Sequence, residues 1–398
     1  KGEIVMFKMT KLSDESLRFG EELASITLGI DALDRRLHSY DDFADGLVVI
    51  NMGWKQVREF ESYEEARAAL AELAKKSFFL PEPDRRLYFL QACISLDSFC
   101  AYSLGKLPGL TDQVGMFLHA DCAPVSEQYL KERCEELEQL FRKAGYTGSL
   151  MDNTAKWVEK NIVPADKVKD TMLELMAQAR EKTAGFLPLP EALYSCEVET
   201  GSCYSARSDY DHLRVVVNID PAYTYQSLKH LVCHEAYPGH YMQFTLRKTY
   251  WEQGCGSADG LLSVCNHASS STFEGIADMG ARLLGWDQGG DDKIFAVLSD
   301  IKSAMGTASS YQKNVLHWTD EQIRKYMLRW PMIGGEGAVR SRLRFVGDPS
   351  RAALIWSYWR GDQAVSGVMD RVEPKDLERY IDYVYGRLHT PGSLQLFH

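Results

Sequence analysis

Along most of the chain apolar positions recur every three or four residues with charged ones between, the pattern of helices that bury one stripe. Residues 1–186 read as helix after helix. Ser62-Tyr-Glu-Glu65 has the form of a capping box, with Ser62 covering an open N–H and Glu65 reaching back. The Ala- and Leu-rich run behind it extends to about Ser77, before Pro81-Glu-Pro83. Leu87 to Leu104 is a largely apolar helix that Gly105 ends. Ser126 to Ala144 alternates charged and apolar faces and stops at Gly145. Pro164 suits the first turn of a further helix, with Val168, Met172, Leu175, Met176 and Ala179 along one packing stripe.

The texture changes at Phe186-Leu-Pro-Leu-Pro190, after which the chain to Tyr210 is rich in Ser, Gly, Tyr and Cys and has no helical period. His212-Leu-Arg-Val-Val-Val-Asn-Ile219 is short, β-branched and closed by Asp220-Pro221, so it predicts a strand in a small hairpin or sheet. From Tyr223 the pattern is helical again, with segments near 257–284, 291–314, 320–329 (opened by a Thr319-Asp-Glu-Gln322 cap), 336–345, 350–369 and 374–388, then a tail at Thr390-Pro-Gly392. The expected fold is mainly α, a large helical unit with a small β element beside it. Residues 1–186 are expected to form one wall of a cleft, and 187–398 the catalytic half.

Composition narrows the function. With 45% apolar and 25% charged residues the chain can bury a core, and a net charge of −11 without a basic stripe argues against nucleic acid. No apolar run reaches the roughly 18 residues needed to span a bilayer. Nine cysteines at irregular positions read as reduced thiols of the cytoplasm, although Cys196 and Cys203 are spaced to close a small loop. The start at Lys1-Gly-Glu rather than Met leaves room for a removed signal peptide. No oligomeric state can be read from these features.

The chemistry concentrates in Leu231-Val-Cys-His-Glu-Ala-Tyr-Pro-Gly-His240. Two imidazoles and a carboxylate in an apolar run suit a metal ion that activates water. On an ideal helix a spacing of six would set His240 roughly 120° away from His234. Pro238 and Gly239 force a bulge or break that can return it to the same face. The plainer alternative is a helix that ends at Pro238, with His240 opening the next.

Downstream, Thr272-Phe-Glu-Gly-Ile-Ala-Asp278 places Glu274 and Asp278 one turn apart on an apolar helix. One carboxylate would complete a His-His-Glu zinc site, and the other would accept the remaining ring N–H of a histidine ligand. Solvated acids are the usual alternative. His267 is a weaker ligand candidate, read as supporting or structural.

His-Glu-x-x-Pro-Gly-His-x-x-Gln, seen as His234 to Gln243, with Phe273-Glu-Gly275 downstream, resembles the DUF885 family of gluzincin-like metallopeptidases. The resemblance runs from about Leu187 to His398 and extends to the helical first half. It implies one zinc per chain on His234, His240 and Glu274, with Glu235 as catalytic base. It also implies a Tyr-x-x-Gly element, matched by Tyr358-Trp-Arg-Gly361. Many relatives carry Trp after the Phe-Glu-Gly glycine, where this chain has Ile276.

The expected activity is zinc-dependent hydrolysis of short peptides. Tyr358 is the first choice for a second oxyanion donor, weighed equally against aromatic packing. Arg207 and Arg360 are candidates for a substrate carboxylate, with surface or ion-pair roles as the commoner fate. Val215-Val-Val-Asn218 would offer an edge to an extended peptide, Asn218 meeting its backbone, or would be a core strand. The other readings are a zinc hydrolase of non-peptide amides or esters and a silent peptide-binding protein. No Gly-x-Ser-x-Gly elbow supports a serine nucleophile. Cys233 beside His234 reads as a buried thiol, not a catalyst.

Overall fold

Helices account for most of the described chain in the computed structural model, which describes residues 8–40, 46–106, 108–202, 205–210 and 212–398. The fold is mainly α with small sheets. Its residues form two compact units that interleave in sequence instead of dividing at residue 186. One contains Lys1–Cys122, Gln243–Ile276 and Trp356–His398; the other contains Ala123–Met242 and Ala277–Ile355.

In the first unit the helices Asp14–Leu37, Tyr63–Ser77 and Pro83–Ser103 pack through Leu23, Ile26, Ile30, Leu70, Leu73, Phe89 and Leu96, all essentially buried. Ser62 caps the second helix as its sequence predicts, accepting the Glu65 N–H at 3.3 Å. The reciprocal half differs, because the Glu65 carboxylate takes the N–H of Glu61 instead, at 2.9 Å. The segment 257–284 is not one long helix. A 3-10 turn leads into the strand Leu262–Val264, which pairs antiparallel with Val49–Asn51, and only then does the helix Ser270–Asp278 begin. That strand is fixed by a partner some two hundred residues away, so local periodicity does not reveal it. The expected tail is also ordered: Thr390 caps Pro391–Leu394 through Ser393.

In the second unit Glu127–Lys143 starts at its Ser126 cap and is followed by Gly145 with φ of +85°. Leu130, Leu137 and Phe141 are its buried stripe. The stripe from Val168 to Ala179 is buried in the Val168–Thr183 helix, so packing is its role. Arg214–Asn218 is indeed a strand, but it is the centre of a three-stranded sheet. It pairs parallel with Ser195–Glu199 and antiparallel with Ala206–Asp209. Cys196 is a buried free thiol; its expected partner Cys203 lies outside the described residues. Thr319 and Gln322 form the predicted capping box of Asp320–Met327. Among the described residues no helix is long and apolar enough to cross a membrane.

Candidate metal centre

Thr224 caps the helix Tyr225–Glu235, whose last turn carries His234 and Glu235. The chain then breaks, and His240 is the first residue of the next helix, His240–Glu252. This is a break between two helices, not a bulge within one. Even so, the His234 and His240 rings meet edge to face, their centroids 4.5 Å apart. Gly239 makes the return possible. A Cβ there would sit 1.9 Å from the His234 carbonyl oxygen and 2.3 Å from that of Cys233, so no side chain fits.

Two tyrosines of the motif fasten the preceding segment onto it. The Tyr237 hydroxyl accepts the Tyr194 N–H at 3.2 Å, and the Tyr241 hydroxyl donates to the Ala192 carbonyl at 3.0 Å. The Tyr194 and Tyr241 rings stack at 4.4 Å.

Asp278 holds the first histidine. Its Oδ1 lies 2.7 Å from His234 Nδ1, which makes Nδ1 the donor and leaves Nε2 as the unprotonated ring nitrogen. Glu274 stands one turn earlier on the same Ser270–Asp278 helix. Ligand atoms of His234, His240 and Glu274 all lie within 4.8 Å of one another, as do those of His230, His234 and Asp278. Two imidazoles and a carboxylate are a donor set that suits a zinc ion. Gln243, the last residue of the motif, is fully buried, and its Nε2 donates to the Phe273 carbonyl at 3.0 Å, steadying the turn before Glu274.

Glu235 points its carboxylate to the sheet, where Ser208 Oγ donates to Oε2 at 2.6 Å. Ser208 lies on Ala206–Asp209, an outer strand of that sheet. Neither Ser208 nor His230 was singled out in the sequence. His230 had a legible signal, since it precedes His234 by four residues on one helix face. Ser208 had none.

The substrate-binding candidates fare differently. Asn218 is 4% exposed; its amide donates to the Ser202 carbonyl and its Oδ1 accepts the Asp220 N–H, so it shapes a turn. Its strand is paired on both sides and offers no edge to a peptide. Arg207 is ion-paired with Glu199 at 3.2 Å. Arg360 holds Asp121 at 3.0 Å and lies over the Trp359 ring. Both arginines are thus held in ion pairs.

Tyr358 is partly buried on Trp356–Met369. That helix crosses Ser270–Asp278 at two glycines: a Cβ on Gly275 would meet the Gly361 carbonyl oxygen at 2.2 Å, and one on Gly361 that of Ser271 at 2.0 Å. The glycines of the two matched motifs thus share one close backbone crossing. His267 is a core residue whose pKa burial lowers to about 3, with His119 adding to the effect. Burial pushes the Cys233 thiol far up, so it stays protonated and inert.

No family model and no curated protein matches the chain. Among solved structures, a "putative lipoprotein" of Colwellia psychrerythraea superposes with a TM-score of 0.57 at 13% identity, over 97% of this chain and 76% of its own. A "putative lipoprotein of unknown function" of Shewanella oneidensis gives 0.49 at 16% identity, over 84% of this chain and 70% of its own. At such identity the first likeness is one of fold alone.

Proposed function

We propose that the protein is a zinc-dependent hydrolase of short peptides, with His234, His240 and Glu274 holding the ion and Glu235 as general base. The observation that carries this reading is the return of His240 to His234 across a break that only glycine can make, beside a carboxylate already committed to His234 Nδ1. A chain that merely ended a helix at Pro238 has no need of either feature. The motif's resemblance to DUF885 metallopeptidases is in accord with it.

Zinc bound there would lower the pKa of a water towards about 7 and polarise the scissile carbonyl. Glu235 supplies the proton handling. Its Oε1 takes a proton from the attacking water while Ser208 holds Oε2, and the carboxyl then gives the proton to the leaving amine. Asp278 keeps His234 in a single tautomer throughout. Tyr358 remains the candidate second donor to the oxyanion. Its support is indirect, through the crossing of its helix with that of Glu274.

An extended peptide would lie along Ala206–Asp209, not along the paired central strand. The outer side of Ala206–Asp209 carries no further strand among the described residues, and its Ser208 already reaches Glu235. The irregular spacing of the nine cysteines suits a reducing compartment such as the cytoplasm.

The test is elemental analysis beside peptide turnover. About one zinc per chain is expected in the wild type, lost in Glu274→Ala. Glu235→Gln should keep the metal and lose turnover by at least about a hundredfold, the scale of general base catalysis. Full activity in Glu235→Gln would overturn the assignment.

A further inference from the structure

We infer that His230 and Asp278 form a second divalent-cation site, separate from the ion proposed on His234 and His240. His230 stands one turn before His234 on Tyr225–Glu235, so both imidazoles face the Ser270–Asp278 helix. The two histidines meet the same carboxylate oxygen at different distances. His234 Nδ1 is 2.7 Å from Asp278 Oδ1, a hydrogen-bond length. His230 Nε2 is 3.5 Å from that oxygen, too long for a good hydrogen bond.

Metal–ligand lengths of about 2.0–2.2 Å on a tetrahedral ion place two donor atoms roughly 3.3–3.6 Å apart. The His230–Asp278 pair has that separation; the His234–Asp278 pair does not. All three residues offer donor atoms within 4.8 Å of one another, so His234 lies beside the second ion without having to give up its own bond.

The His230 ring is oriented by Phe295, at 5.7 Å between centroids, and its side chain keeps about a third of its surface exposed. An ion can therefore reach it from solvent and keep waters as its remaining ligands. Imidazole with carboxylate selects a first-row divalent ion such as zinc or cobalt over magnesium or calcium. With two protein donors this site is the weaker of the two. Filling it draws charge from Asp278 and so weakens the hold of that carboxylate on His234. Excess zinc is then expected to inhibit a protein already carrying its first ion.

The experiment is calorimetric titration of the metal-stripped full chain with zinc chloride, with elemental analysis of each end point. The wild type should take two equivalents, one tight and one weaker. His230→Phe keeps the ring against Phe295, and should lose the weaker class and keep the tight one. His240→Ala should lose the tight class and keep the weaker. A wild type saturating at one equivalent overturns the second site, whatever the variants do. So does a weaker class that survives in a folded His230→Phe. A tight class unaffected by His240→Ala would instead overturn the proposed function and leave the His230 site standing.

Discussion

Ser208 and Glu235 make the sharpest case at the scale of single residues. One hydroxyl, on an outer strand of the sheet, fixes one oxygen of the proposed base. Ser208→Ala should lower kcat by roughly tenfold, the worth of about one hydrogen bond to a charged group, and leave zinc content unchanged. An unchanged kcat would mean that the contact is incidental.

His267 offers a stability test. Burial holds it neutral in the folded chain down to about pH 3, while an unfolded histidine titrates near 6.5. Between those values the unfolded state binds the extra proton, so stability is complete above about 6.5 and falls as pH drops towards 3. His267→Gln should flatten the fall of Tm across that window, and an equally steep fall would contradict it. The sequence reads His267 as supporting or structural, which its burial fits, but gives no sign of the role of Ser208. A serine in a loop-rich stretch carries no pattern until the fold gives it neighbours.

Among the elements, those fixed by local chemistry were legible. Ser126 and Gly145 bracket a helix because a hydroxyl cap and a residue with φ of +85° act within one turn. The strand at Leu262–Val264 was missed because its pairing to Val49–Asn51 is long-range. Arg214–Asn218 is legible as a strand of a small sheet, and of its edge and core readings the core one holds, since a run of three valines gives a strand without giving its neighbours.

The crossing at Gly275 and Gly361 yields an element-level prediction. Gly361→Ala forces a Cβ to 2.0 Å from a carbonyl oxygen and should cost about 1–3 kcal/mol in denaturant unfolding. Gly367→Ala, on the same helix with nothing within 4 Å, should be neutral or stabilising by up to about 1 kcal/mol. Equal effects at the two positions would remove the crossing from the account.

For the whole molecule, apolar periodicity was enough to give a mainly α fold, but not the way the chain is shared out. A boundary at residue 186 follows the change of texture. The two compact units instead take separated segments, because helices far apart in sequence share one core, as Phe19 and Phe89 do with Leu388. The motif proposed to hold a metal stands out in the sequence for the opposite reason. His234, Glu235, Gly239 and His240 are close in sequence, and the return of one ring to the other is made within that short segment.

The most direct check on that motif is anomalous diffraction at the zinc edge from crystals grown with zinc. The account predicts a peak about 2.0–2.2 Å from a nitrogen of His234, a nitrogen of His240 and an oxygen of Glu274. No peak there, or a principal peak on ligands that exclude His240 and Glu274, would contradict it.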